Sequence, residues 1–305
     1  MRSIRLALLA LACTIPTILL AQTPRPRPVT LVTSRLIDGR GHTLSGAWVV
    51  VNGARIQSVG SAGASATGSV YDLRGLTVLP GLIDVHEHVE WHFNPKGRLH
   101  SANDGETPEQ GSLAMAHNMF AILRAGFTTI QSPGSPEDAD LRAFSASGRI
   151  PGPRVLTSLE PIANPKLTPD QIRAIVRQRK AQGADFIKIF ASKSIREGGA
   201  QSLSDAQLAA ACGEARALGL RTLVHAHSTG SIRAVVNAGC TEVEHGIFAT
   251  QAELDLIASH HVWFDPQCSL VFRNYLDNRA KFYGIGNYND AGFASMEQVV
   301  PVAVQ

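Results

Sequence analysis

Residues 78–92 read Val78-Leu79-Pro80-Gly81-Leu82-Ile83-Asp84-Val85-His86-Glu87-His88-Val89-Glu90-Trp91-His92. A short apolar run (Leu82, Ile83, Val85) leads straight into His86 and His88. Side chains two apart on a strand point to the same face, so both imidazoles would converge where the strand ends. Paired neutral imidazoles suit a borderline-soft divalent cation such as zinc. A His-x-His pair is a common accident on strands, so the rest of the chain has to decide.

Downstream of this stretch the pattern is strand–helix alternation. One phrase recurs: a helix stops at a glycine and an apolar run begins a few residues later. It occurs at Ala125-Gly126 before Thr129-Ile130, at Gln182-Gly183 before Phe186-Ile187, at Leu218-Gly219 before Leu223-Val224, and at Ala238-Gly239 before Val243. Glycine there serves as the left-handed helix stop. Thr107-Pro108-Glu109-Gln110 and Thr168-Pro169-Asp170-Gln171 each place Thr at the N-cap, Pro at the first helical position and Gln at the third, and Ser204 with Gln207 repeats the capping box. Strands are expected at 82–85, 128–131, 154–158, 186–190, 221–226, 242–245 and 262–265. Seven β units in a row favour a parallel α/β barrel over a doubly wound sheet. Residues 266–305 read as a loop holding Gly284, Gly286 and Gly292, then a helix starting near Ser295, with no eighth strand.

Upstream, residues 29–79 read as short strands separated by turns, with Asn52-Gly53 as a strong hairpin signal. Such a unit of about fifty residues is marginal alone and is expected to pack on something larger. Before it, Arg2 and Arg5 precede an apolar run from Leu6 to Leu20 broken by Pro16, and Ala21 offers a small residue for cleavage. Residues 1–21 are therefore read as an export signal and 22–28 as an extended linker, which places the protein in the periplasm or outside the cell. The run is too short for a stable membrane span. A lipoprotein anchored at Cys13 ranks second, because Ala10 stands where a large apolar residue is needed.

The chain of 305 residues has 44% hydrophobic and 17% charged residues, ordinary for a globular protein. A net charge of +3 with no basic run argues against a nucleic-acid partner. Beyond the signal, Cys212, Cys240 and Cys268 are odd in number and widely spaced. They are read as small buried hydrophobes, not as a disulfide framework or a zinc knuckle.

In a parallel barrel, polar side chains at strand C-termini line the active site. These ends supply His86, His88, Lys188, His225, His227 and His245. Lys188 sits inside Phe186-Ile187-Lys188-Ile189-Phe190, where burying an ammonium is costly. Burial lowers a lysine pKa, and a neutral amine can form a carbamate able to bridge two metals. The bland alternative is a lysine paired with a carboxylate of the next strand. A lone His225 would more often be a satisfied core histidine.

The motifs VLPGLIDVHEH, GADFIKIF, VHAHSTG and TEVEHG resemble, in order and separation, those of the amidohydrolase superfamily, in its imidazolonepropionase-like and Xaa-Pro-dipeptidase-like branch. The resemblance spans residues 29 to about 265. It implies a (β/α)8 TIM-type barrel, of which seven β units are present, with 29–79 as the first part of a composite β-sandwich and 80–305 as the barrel. It implies two divalent metal ions, zinc first among the candidates. His86 and His88 would hold the more buried one, a carboxylated Lys188 would bridge, and His225 and His245 would hold the second. Relatives often carry Tyr where His227 stands, which implies substrate contact for His227. His92 ranks last among candidates for the pocket. The implied reaction is hydrolysis of an amide or peptide C–N bond, in dipeptides or N-acyl amino acids, by a metal-bridging hydroxide. The strand-eight Asp of the family has no match, since Asp265 ends strand seven and Asp277 and Asp290 lie in loop-like sequence. A shortened sequence that binds metal poorly is the resulting expectation. The alternatives are a mononuclear cyclic-amide hydrolase and a non-catalytic degenerate barrel. Assembly into a homo-oligomer stays open.

Overall fold

The computed structural model describes residues 27–61, 67–94 and 97–303. The expected signal, Cys13 and most of the expected linker lie outside the described residues. The chain divides into two compact units between Pro80 and Gly81.

The first unit is one four-stranded sheet built from β1 (Val29–Ile37), β2 (Thr43–Asn52), β3 (Arg55–Ser61) and β4 (Ser69–Val78), in the order β3-β2-β1-β4. Asn52 pairs with Arg55 across Gly53, whose φ of 58° supplies the left-handed turn residue a tight hairpin needs. β1 is antiparallel to β2 and parallel to β4. Leu36, Ala47 and Val49 form its small core. Two threonines of β1 are also buried, and each hydroxyl donates to a backbone carbonyl: Thr30 to Thr67 and Thr33 to Leu76, both at 2.8 Å. A second sandwich layer is not found among the described residues.

The second unit alternates strands and helices. Its elements are β5 (Leu82–Asp84), α1 (Pro108–Arg124), β6 (Phe127–Ser132), α2 (Asp138–Ala146), β7 (Arg154–Thr157), α3 (Pro169–Ala181), β8 (Phe186–Phe190), α4 (Asp205–Ala217), β9 (Arg221–Ala226), α5 (Thr229–Asn237), β10 (Glu242–His245), α6 (Gln251–Ser259) and β11 (Trp263–Asp265). All strand pairings here are parallel, in two sheets ordered β5-β6-β7 and β8-β9-β10-β11. Ile162, beyond β7, bridges to Ile189 of β8. β5 and β11 do not pair with each other among the described residues.

The helix boundaries follow from local chemistry. The hydroxyls of Thr107, Thr168 and Ser204 accept from the backbone N–H of Gln110, Gln171 and Gln207, and each Gln side chain accepts in return from the cap backbone. Each box satisfies two of the donors a helix start would otherwise orphan. Gly126, Gly183, Gly219 and Gly239 all have φ between 69° and 96° just after α1, α3, α4 and α5.

Two sequence expectations are corrected. Cys212 of α4 and Cys240, just past α5, form a disulfide; among the described residues Cys268 alone is free. The pairing is a product of helix packing across a separation of 28 residues, which spacing alone does not reveal. The C-terminal stretch is also more helical than expected. A helical turn spans Cys268–Arg273, followed by α7 (Asn274–Asp277), α8 (Arg279–Phe282) and α9 (Asp290–Ala303). α9 begins five residues before Ser295, so Gly292 lies inside it. A Cβ on Gly292 would stand 2.0 Å from the Asn287 carbonyl oxygen, so this glycine marks a close backbone approach and not a loop.

Candidate metal centre

His86 and His88 follow β5 directly, and the N–H of Glu87 donates to the Gln131 carbonyl at 3.0 Å, extending the parallel pairing. His86 is the hub of the site. Its Nε2 lies 3.3 Å from His88 Nε2 and 3.5 Å from Lys188 Nζ; its Nδ1 lies 3.1 Å from Glu244 Oε1 and 3.6 Å from Asp265 Oδ2. The ring centroids of His86 and His245 are 5.2 Å apart, those of His245 and His225 4.8 Å, and those of His225 and His227 4.3 Å. All six expected site residues thus come together at the C-terminal ends of β5, β8, β9 and β10.

His245 reaches this group through its backbone. With φ at 69° it leaves the extended region, so its side chain does not simply alternate away from that of Glu244. For a non-glycine residue this is a strained conformation of the kind found at functional sites.

Two carboxylates join that the sequence reading passed over. Glu244, wholly buried, forms an ion pair with Lys188. The partner of Lys188 therefore comes from the second strand along the sheet, not from the adjacent one. Asp265 ends β11 and aims Oδ2 into the group; its Oδ1 accepts from the Gln267 N–H. β10 reads Glu242-Val243-Glu244-His245 and is buried along its whole length, so Glu244 does not stand out from apolar neighbours as Lys188 does in Phe186–Phe190.

Electrostatics separate these groups. Burial lowers the pKa of Lys188 against the pull of Glu244. Burial pushes Glu244 up, but the charges of Lys188 and His86 outweigh it and hold the carboxyl down at about 2. Burial and Lys188 disfavour the cation of His86, yet Glu244 and Asp265 leave its pKa raised. Burial lowers His88. Burial and the neighbouring His227 bring His225 down to about 2, burial and Lys188 bring His227 down to about 4, and burial holds His245 well below its ordinary value. Neutral imidazole is the metal-binding form.

Three buried imidazole nitrogens here have no hydrogen-bond partner, His225 Nε2, His227 Nδ1 and His245 Nδ1, while His86 Nδ1, Glu244 Oε1 and Asp265 Oδ2 meet only one another as ion pairs. Buried polar atoms are almost always satisfied, so a convergent set that is not calls for a ligand. The donor set of imidazole and carboxylate fits a divalent cation. His86, Glu244 and His245 offer ligand atoms all within 4.8 Å of one another.

His92 belongs elsewhere. It groups with His100 and Glu106, while the Trp91 ring stacks on His88 at 4.2 Å.

Comparison with known proteins extends this picture. Residues 77–288 match the family model described as the amidohydrolase family. Imidazolonepropionase of Deinococcus radiodurans is 26% identical over 276 residues, covering 78% of this chain; the chain spans 66% of that relative's length. Among solved structures, a Xaa-Pro dipeptidase with bound methionine superposes with a TM-score of 0.74 at 23% identity, covering 90% of this chain and 74% of that one. A prolidase complexed with N-methylphosphonate-L-proline gives 0.76 at 23% identity, covering 91% and 74%.

Proposed function

The chain belongs to the amidohydrolase family, and from that premise we propose that it is a metal-dependent hydrolase cleaving an amide or peptide C–N bond. The substrate class is dipeptides or related N-acyl amino acids. The observation that carries this reading is the convergence of five imidazoles, Lys188 and two carboxylates with unpartnered buried atoms at the ends of parallel strands. The likeness to a Xaa-Pro dipeptidase and a prolidase structure supports a (β/α)8 barrel as the fold, with residues 29–79 as part of a sandwich.

His86, His88, His225 and His245 would hold two divalent cations, zinc first, with Lys188 as the bridge once carboxylated. Bound cations would activate water near neutral pH and polarise the scissile carbonyl. The lowered pKa of Lys188 favours the neutral amine that carboxylation requires. His227 would hydrogen-bond the substrate carbonyl, a role supported by its unpartnered Nδ1. Asp265, whose Oδ2 lies 3.6 Å from His86 Nδ1, would be the carboxylate to take a proton from attacking water, although it ends the seventh strand and not an eighth.

The Lys188–Glu244 ion pair favours a second reading, a mononuclear site acting on a cyclic amide. In that case Lys188 stays an ammonium and one cation binds. Export is proposed as well, and the Cys212–Cys240 disulfide supports it because such bonds persist in oxidising compartments.

The test combines metal analysis, intact mass with and without bicarbonate, and a dipeptide panel. About two ions per chain, a mass gain of one carbon dioxide lost in Lys188→Ala, and chelator-sensitive hydrolysis are expected. One ion and no mass gain would give the mononuclear reading. Hydrolysis indifferent to chelator would sink both.

A further inference from the structure

The loop between β5 and α1 holds a second cluster of metal-ligating side chains, independent of the barrel group. Phe93 and Leu99 form an antiparallel bridge, and the His100 N–H donates to the His92 carbonyl at 2.8 Å. His92 and His100 are thereby cross-strand neighbours, and their rings stack at 4.6 Å with an interplanar angle of 14°. Glu106, immediately before the N-cap of α1, sits between them. Its Oε2 is 2.8 Å from His92 Nε2 and 2.9 Å from His100 Nε2.

The tautomer of His92 gives this cluster its meaning. Its Nδ1 lies 2.9 Å from the Glu90 carbonyl oxygen, which can only accept. Nδ1 must therefore carry the hydrogen, and in a neutral ring Nε2 presents a lone pair. That lone pair faces both Glu106 oxygens, at 2.8 and 3.1 Å, in a side chain only 11% exposed. Two acceptors at that distance repel unless a cation stands between them. Among the described residues neither Lys nor Arg reaches Glu106. A second proton on His92 would satisfy the pair as an imidazolium–carboxylate contact, and a divalent cation would satisfy it while also engaging His100 Nε2, 2.9 Å from Glu106 Oε2.

We propose that His92, His100 and Glu106 form a mononuclear site for a first-row divalent cation of the zinc type. The three offer ligand atoms all within 4.8 Å of one another, two imidazoles and one carboxylate, leaving a further position for water. The Glu90 carbonyl fixes the ring of His92 from behind, as outer-shell partners of metal-bound histidines do. The bound ion pins the bridged segments 92–94 and 97–100 to the start of α1. Glu90 also approaches His88 with its side chain, Oε1 lying 3.2 Å from His88 Nδ1, so this site shares a supporting residue with the barrel group but no ligand.

The test titrates the whole chain with Zn²⁺ alone, and with Co²⁺ as a spectroscopic probe, in wild type, His100→Ala, the isosteric Glu106→Gln, and His225→Ala. Loss of one equivalent is expected in His100→Ala and in Glu106→Gln, with that class weakened more than about 100-fold, beyond what losing an outer-shell partner costs. His225→Ala is expected to keep this equivalent and its Co²⁺ absorption while losing barrel-site metal. Zn²⁺ should slow hydrogen exchange in residues 97–106 of wild type but not of Glu106→Gln. Unchanged stoichiometry in both loop variants overturns the site, whatever the barrel group binds.

Discussion

Ile189 in β8 is wholly buried, whereas Ile83 in β5 is 62% exposed, although both occupy the middle of a parallel strand beside proposed metal ligands. The contrast holds for the whole of each sheet. β8–β11 and the helices behind them share one large apolar cluster running from Ile162 to Val299. The β5–β7 sheet rests on six buried residues, among them Val89, Met119 and Ile130, and leaves Leu82 and Val85 exposed beside Ile83. Lys188, His225, His227, Glu244 and His245 thus stand on a deep scaffold, while His86 and His88 stand on a shallow one. The lesson is that burial, not strand formation, decides how firmly a site residue is held.

The most direct way to break this comparison is the same truncation in both strands. Ile189→Ala is expected to cost about 2 to 5 kcal/mol, and Ile83→Ala under about 0.5, in denaturant unfolding. Equal losses would show that β5 is held as firmly as β8. Removing the disulfide as Cys212→Ser/Cys240→Ser comes next. Its closed loop of about thirty residues implies a loss of about 3.5 kcal/mol, confined to the deep half, and unchanged exchange in β5–β7 would sharpen the division. The smallest effect concerns the shallow half. Asp138 is fully buried at the start of α2, where burial pushes its pKa from 3.8 to about 6 against hydrogen bonds from Ser132, Thr157 and Ser135. A raised carboxyl pKa means the stabilising, protonated form is fully present below about pH 4 and is lost as pH rises through about 6. Relative to Asp138→Asn, wild type is therefore expected to lose roughly 1 to 1.5 kcal/mol between pH 5 and pH 8, read from melts across that range. A pH-independent difference would show that the carboxyl is already satisfied.

What was legible in the sequence is what local rules determine. The caps at Thr107, Thr168 and Ser204 and the glycine stops follow from backbone donors and left-handed geometry within a few residues. The histidines and Lys188 stood out because strand periodicity places them at strand ends. Glu244 was passed over because a regular strand opposes the faces of residues 244 and 245, and only the φ of 69° at His245 breaks that alternation. Asp265 was set aside because it ends the seventh strand, although its oxygen lies 3.6 Å from His86. The Cys212–Cys240 bond and the His92–His100–Glu106 group depend on how helices and a hairpin fold back. No local pattern encodes those approaches.

The register of the first unit carries a consequence for the order of assembly. Asn52 meets Arg55 almost at once, while Val29 must find Ser69 across about forty residues. Loop closure grows costlier with length, and long-range parallel pairing is slow. The β2–β3 hairpin is thus the natural nucleus, β1 adds to it, and β4 docks last along β1. The strand that leads into Gly81 and the histidine motif is the one whose partner arrives latest, so kinetic faults in this unit would gather at its C-terminal end.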